Sequence, residues 1–172
     1  MRALARFEGY LEAFAVSRTE LIRRAFGPRP ECRIDVAEDR STGKLCGYSV
    51  VLLTRYTYDL KPTLTLKELY VEASARRRGV GEALLRAVAR YAVKVNAGRL
   101  KWDVLPGNVG AERFYRSLGG RRVDEWIAYV IDEPSLTRLA GSRPKAIAEK
   151  PRARRRNERP RSDGKRERDR AR

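Results

Sequence analysis

Six residues, Arg76-Arg77-Arg78-Gly79-Val80-Gly81, join an alternating apolar run to an amphipathic one, and Asn108 is followed seven positions later by Tyr115. A diphosphate needs backbone N–H groups pointing inward, no side chain blocking its approach, and the positive end of a helix beneath it. A basic strand-to-helix turn with two glycines offers all three. Two rival phosphate motifs do not fit: the dinucleotide pattern G-x-G-x-x-G wants a third glycine where Leu84 stands, and the P-loop wants Gly-Lys-Ser/Thr. Taken alone, the turn is equally a basic connection without a ligand, and Tyr115 more simply a tyrosine on an amphipathic helix. Taken in this order, they put an anion cradle ahead of a phenolic hydroxyl that a departing leaving group could draw a proton from.

The elements that must position these residues follow from periodicity. Leu4, Phe7, Tyr10, Leu11 and Phe14 recur at helical spacing over residues 2–14. Ser17-x-x-Glu20 is a capping box opening a second helix over residues 18–26, which Gly27-Pro28-Arg29-Pro30 stops. Cys32, Ile34 and Val36 alternate with Arg33 and Asp35 as a strand. Residues 39–44, with Gly43, turn the chain into a second strand over 45–58, and a third covers 64–71. Leu84, Leu85, Val88, Tyr91, Ala92 and Val95 line one side of a helix over 80–95. A strand over 100–105 is broken by Pro106-Gly107, and Asn108 opens a helix to residue 118 that Gly119-Gly120 ends. Residues 122–132, with Trp126, Ile127, Tyr129 and Ile131, form a last strand, and a short helix lies around 134–139. This order predicts an α/β fold of α+β character, one mixed sheet with helices on its faces.

At 172 residues and 42% apolar, the chain has room for one domain with a real core. It contains no histidine, which excludes His-based triads, His-ligated metals and a histidine general base, and no metal motif is present. Cys32 and Cys46 lie in strand segments and are expected to be buried free thiols. The longest apolar run, residues 48–53 interrupted by Ser49, is too short to span a bilayer, so a soluble, cytoplasmic protein is expected. Of the net charge of +17, residues 142–172 carry +9, with 14 Lys and Arg against 5 Asp and Glu. Hydrophobic residues nearly vanish there, so residues 1–141 are expected to be the domain and 142–172 a disordered Arg-rich tail. Such a tail is a solvated extension or a nonspecific contact for polyanions; its interspersed acids and lack of aromatic residues favour the former.

The motifs resemble the GNAT superfamily of acetyl-CoA-dependent N-acetyltransferases, whose pyrophosphate loop has the form Arg/Gln-x-x-Gly-x-Gly/Ala, matched by Arg76, Gly79 and Gly81. Asn108-x-x-Ala111-x-x-Phe114-Tyr115, closed by Leu118-Gly119, is similar to that family's second block. Tyr56-Thr57-Tyr58-Asp59, Leu69-Tyr70-Val71 and the Trp126 segment resemble its diamine (spermidine/spermine) and thialysine N-acetyltransferase group, over residues 4–139. The resemblance implies a mostly antiparallel sheet, a homodimer, acetyl-CoA as acetyl donor without a metal, and direct attack of a neutral amine on the thioester. It implies that Arg76, Arg77, Arg78, Gly79, Val80 and Gly81 hold the pyrophosphate and that backbone N–H groups of Leu69, Tyr70 and Val71 hold the thioester carbonyl and pantetheine. Asn108 and Phe114 would lie against the cofactor, and Tyr115 would protonate the departing thiolate. Glu68, through water, is the expected acceptor of the amine's proton, and Lys67, Glu68, Asp124 and Trp126 the expected acceptor-site residues. Alternatives stand beside several of these: Asn108 as a helix N-cap, Trp126 as core, Asp124 as a solvated strand end. The Tyr70 side chain is expected in the core.

The chain departs from that group in three places. Lys67 stands where the group carries the first of two adjacent acids, so a second ammonium would be repelled and a carboxylate paired; the acceptor is then amino-acid-like or a monoamine. Gly107 stands where the group often has tryptophan. The family's first strand is missing ahead of residue 4, which leaves the strand at 32–36 with an unpaired edge and implies a downstream start or a truncated paralogue. Three functions fit: acetylation of a small primary amine, acetylation of a protein or peptide amine, or a non-catalytic CoA-binding module with a nucleic-acid-binding tail.

Overall fold

Alternating side chains in three consecutive segments build the sheet. β1 (Arg33–Asp39), β2 (Lys44–Thr54) and β3 (Thr63–Val71) are antiparallel neighbours, and β4 (Arg99–Lys101) joins β3 in parallel, giving the order β1-β2-β3-β4. The computed structural model describes residues 1–141. The tail from residue 142, with its expected disorder and polyanion contact, lies outside the described residues. Chain contacts divide the protein into a unit of residues 1–122, which holds the sheet, and a second beginning at Val123. The mixed, mostly antiparallel sheet expected from sequence is present, and no strand pairs with the outer edge of β1 among the described residues.

A parallel step from β3 to β4 needs a crossover, which α3 (Val80–Lys94) supplies. Period-two alternation sends Gly47 and Val51 of β2 and Leu64 and Leu66 of β3 toward that helix, where Val51, Leu64, Leu66, Leu85 and Val88 form the core. Leu64 and Val88 are 0% exposed, and burying side chains of this size stabilises by roughly 1.5–3 kcal/mol each. Gly47 lets the first turn of α3 approach the sheet: a Cβ there would meet the Tyr70 carbonyl oxygen at 2.9 Å and side-chain carbons of Leu84 and Val80 at 3.1 and 3.2 Å. Gly47→Ala is therefore expected to lose about 1–3 kcal/mol in urea unfolding, as overpacked cores do. A loss below a few tenths would show that the helix slides freely on the strand.

Helix ends follow local chemistry. α2 (Arg18–Phe26) has the expected bounds, with the Ser17 hydroxyl accepting from the Glu20 N–H at 3.1 Å. Only half of the capping box forms, because the Glu20 carboxylate is taken by Arg23 and Arg24, which hold its pKa down at about 2. α1 (Arg2–Phe7) stops well short of residue 14. Gly9 adopts φ +82, and two bonds, Tyr10 N–H to Ala5 O and Gly9 N–H to Arg6 O, close a Schellman turn; Leu11–Ala13 is one 3-10 turn. The helical spacing of apolar residues ran on across a break that the glycine imposes. β2 ends at Thr54 rather than 58, because Thr57 bonds Asp59 and the Lys61 carbonyl while Arg99 ion-pairs with Asp59 and stacks on Tyr58. Cys32 and Cys46 are free and half-buried, the latter donating to the Ala37 carbonyl.

In the second unit the strand expected over 122–132 does not form. A strand exists through its ladder, and no described strand pairs with this segment. Residues of both parities are exposed, with Trp126 at 88%, Ile127 at 81% and Val130 at 93%, so the alternative of Trp126 as core is also set aside. The segment ends where the Asp132 carboxylate accepts from the Ser135 N–H at 2.9 Å and opens α5 (Glu133–Gly141), the expected short helix.

Candidate functional site

The start of α3 has the backbone geometry that anion sites use. Gly79, at φ +77, precedes the helix and no side chain caps it. The first turn bond runs from the Ala83 N–H to the Gly79 carbonyl at 2.9 Å, so the N–H groups of Val80, Gly81 and Glu82 have no helical acceptor. Arg77 is also left-handed, at φ +58; with Gly79 it turns successive N–H groups inward as anion-binding nests do. Arg76 Nε donates to the Val71 carbonyl at 3.0 Å, pinning the loop to the end of β3. The charge of Arg78 lies near enough to the β1–β2 turn to help Ser41 hold the Asp39 carboxyl below its usual range. Gly81 opens a seam, since a Cβ there would lie 3.5 Å from Phe114 and 3.6 Å from Val71. The start of α3, the end of β3 and Phe114 therefore meet at Gly81.

Beside that seam the sheet opens. β4 pairs only with Thr63, Leu64 and Thr65, whereas β3 continues to Val71, so Leu66 to Val71 offer a strand edge with no partner strand among the described residues. Of the three backbone donors expected here, strand alternation turns those of Leu69 and Val71 to this edge: the Glu72 N–H bonds the Cys46 carbonyl of β2 at 2.9 Å, so the Tyr70 N–H, two residues earlier, also faces β2. Its register shifts between Val50 and Val51, with Val50 facing Glu68 and Val51 facing Leu66; the exposed Lys67 is the extra residue of that bulge. The Tyr70 side chain is not core: it is half-buried on the face away from α3, stacked on Tyr48 at 5.8 Å, with its hydroxyl donating to Glu72 at 2.9 Å.

α4 (Val109–Ser117) carries Tyr115 into the core seam, against Trp102 at 4.8 Å and Phe114 at 5.1 Å between ring centroids. Gly120 makes this possible, because a Cβ would stand 2.9 Å from the Trp102 ring. Burial, then the charge of Glu8, pushes the Tyr115 phenol up to about 12, and no described group hydrogen-bonds its hydroxyl. Asn108 is the N-cap of α4, its Oδ1 accepting from the Ala111 N–H at 3.2 Å, which leaves its amide N–H groups directed to neither cap bond. A concavity of about 460 Å³ adjoins this helix start, lined by Phe7, Leu105, Pro106, Gly107, Asn108, Val109 and Gly110.

The acceptor side holds groups that sequence reasoning did not single out. The Tyr48 hydroxyl donates to Glu68 Oε2 at 2.7 Å. Burial first, then Glu68, then Tyr10 and Glu8 push the Tyr48 phenol up, and Tyr10 rises through burial, Glu68 and Glu8. Glu8 also acts on Tyr115. Glu68 and Tyr115 make no direct contact; Glu8, at the end of α1, is in electrostatic reach of both Tyr115 and the Tyr48–Glu68 pair. Asp124 and Trp126 belong to the second unit.

These raised phenols make a prediction at alkaline pH. A raised folded pKa means the native state keeps a proton that the unfolded chain releases near pH 10, so this stability is complete below about pH 10 and is lost as pH rises through the folded values. Melting temperature is expected to fall between about pH 10 and the value near 12 of Tyr115. Tyr48→Phe and Tyr115→Phe should each flatten that fall in thermal melts, and an unchanged slope in both would contradict it.

Comparison with known proteins agrees with this geometry. The family model described as Acetyltransferase (GNAT) family matches residues 4–119. Thialysine N-epsilon-acetyltransferase of Mus musculus is 27% identical over 150 residues, covering 82% of this chain and 88% of that protein. L-ornithine N5-acetyltransferase of Arabidopsis thaliana is 37% identical over 82 residues; the match takes in 48% of this chain and spans 32% of that relative's length. An integron cassette protein from the mobile metagenome of V. cholerae, of solved structure, superposes with a TM-score of 0.66 at 26% identity, over 81% of this chain and 86% of its own. Among the described residues no helix is long and apolar enough to cross a membrane. The splayed sheet, the uncapped start of α3 and the family match meet in one stretch of chain, and the protein belongs to the acetyltransferase (GNAT) family.

Proposed function

We propose that this N-acetyltransferase transfers acetyl from acetyl-CoA, the cosubstrate of its family, to the primary amine of a small amino-acid-like molecule by direct attack on the thioester. The observation that carries this reading is the uncapped, left-handed entry to α3 beside a tyrosine whose hydroxyl has no partner within the described residues. The N–H groups of Val80, Gly81 and Glu82, with Arg76 and Arg77, receive the pyrophosphate, and the free edge of β3 at Leu69 and Val71 receives the thioester arm. Arg78, whose charge also reaches Asp39, adds to the positive field of the loop. Asn108 steadies the start of α4 and offers its amide N–H groups to the cofactor, with Phe114 packed alongside.

On the acceptor side, Glu68 and Glu8 form an acidic approach that suits an ammonium. An amine of pKa about 10.4 is neutral in roughly one molecule in a thousand at pH 7, a handicap of about 4–5 kcal/mol that a carboxylate taking up the proton offsets. Glu68 takes that proton through water, and Tyr115 supplies one to the sulfur as the C–S bond breaks. Lys67, beside Glu68 on the bulge, repels the bare second ammonium of a polyamine but pairs with the carboxylate of an amino acid, which also offsets the charge of the α-ammonium. That favours acceptors built like lysine or ornithine over polyamines, in keeping with the names of the relatives. Acceptor-site roles for Asp124 and Trp126 rest on the resemblance alone, as does placement of the protein as a cytoplasmic homodimer.

A thiol-release assay with L-ornithine, L-lysine, thialysine and spermidine tests this. The amino acids are expected to turn over faster than spermidine. Faster turnover of spermidine would overturn the acceptor assignment, and no amine-dependent release would overturn the enzyme as a whole.

A further inference from the structure

We propose that Tyr48, a residue of β2 outside the motifs singled out from the sequence, is a positioning residue that holds the Glu68 carboxylate in the orientation needed to accept the amine's proton; this rests on the role given to Glu68 above. The register places Tyr48 opposite Tyr70 and Val50 opposite Glu68, so Tyr48 and Glu68 are diagonal neighbours on one face, within reach of long side chains. The hydroxyl donates to Glu68 Oε2 at 2.7 Å. One carboxylate oxygen is thereby occupied and the other is left to accept from water or an ammonium. The donor is itself fixed: its ring stacks on Tyr70 at 5.8 Å, and the Tyr70 hydroxyl is tied to Glu72 at 2.9 Å.

Glutamate on its own is a poor fixed base. It carries among the largest side-chain entropies, and catalytic groups displaced by about an ångström lose much of their effect. A tyrosine suits the task better than lysine or arginine would, because it orders the carboxylate without adding a positive charge that would repel the substrate. Burial and Glu68 also push its phenol up, so Tyr48 remains a donor throughout the working pH range and does not compete for the proton. Other ionisable groups near the pair include Tyr10 and Glu8 at the end of α1 and Cys32 ahead of β1, whose thiol is raised by burial and then by Glu31 and Glu68. None of these three is a cation, and the neighbouring Lys67 is exposed on the bulge with no ion pair to Glu68 among the described residues.

The test uses the full chain, acetyl-CoA and L-ornithine or L-lysine. Tyr48→Phe keeps the ring and removes only the hydroxyl. It is expected to lower kcat about tenfold, the size of effect of one hydrogen bond to a charged group, with KM for acetyl-CoA little changed. Glu68→Gln is expected to lose about a hundredfold, and the double variant no more than Glu68→Gln alone. Glu68→Asp, which retains the charge but withdraws it from Tyr48 by one methylene, should fall alongside Tyr48→Phe. Wild-type rates in Tyr48→Phe or in Glu68→Asp, or losses that multiply in the double variant, would overturn the positioning role alone. Wild-type rates in Glu68→Gln would overturn the role of Glu68 and this proposal with it.

Discussion

Tyr115→Phe is expected to lower kcat by about 10²–10³, within the range general acids contribute, while leaving KM for acetyl-CoA and the melting temperature close to wild type. The two effects separate because the ring and the hydroxyl do different work. Contacts with Trp102 and Phe114 are ring contacts that phenylalanine reproduces, and the hydroxyl has no described hydrogen-bond partner to orphan. Only chemistry should suffer. At about 12 the phenol stays protonated at neutral pH, so it meets the departing sulfur with its proton in place. Thiol-release kinetics with saturating amine, set beside thermal melts, check both parts. A kcat within twofold of wild type would remove Tyr115 from the chemistry and leave it a core residue.

The parts of this site that sequence revealed are those encoded locally. Ser17, Gly79, Asn108 and Gly119 act on residues within four positions of themselves, so the bounds of α2, α3 and α4 and the anion-receiving loop followed from short patterns. Gly9 was just as local but stood inside a stripe whose apolar spacing continued across it, and the longer pattern prevailed over the single breaker. What escaped depends on pairing. Tyr48 and Glu68 are twenty positions apart and meet only through strand register, which a bulge shifts by one residue. Glu8 reaches Tyr115 only because α1 ends where it does. The 122–132 segment shows the converse: its residue types favour a strand, but a strand is a relation between two segments, and composition records only one of them.

Gly79→Val is expected to raise KM for acetyl-CoA at least tenfold and to lower the melting temperature, whereas Gly79→Asn should recover most of both. The residue sits at φ +77, a region that a β-branched side chain enters only with strain of order 1–3 kcal/mol but that asparagine tolerates. Space is not the obstacle, since a Cβ at Gly79 would meet nothing within 4 Å. The backbone angle is what matters. To relieve it, the chain must rotate Gly79 out of the left-handed region, and that rotation turns the N–H groups of Val80 and Gly81 away from a common centre. Binding and stability then fall together in Val and recover together in Asn, a correlation that removal of a loop charge would not produce. Arg77→Ala is the control: it lies at φ +58, so alanine leaves the turn strained as before and removes one cation, raising KM with little change in melting temperature. If Gly79→Val bound acetyl-CoA as tightly as wild type, the diphosphate would not rest on the backbone of this loop, and the arginines alone would have to hold it.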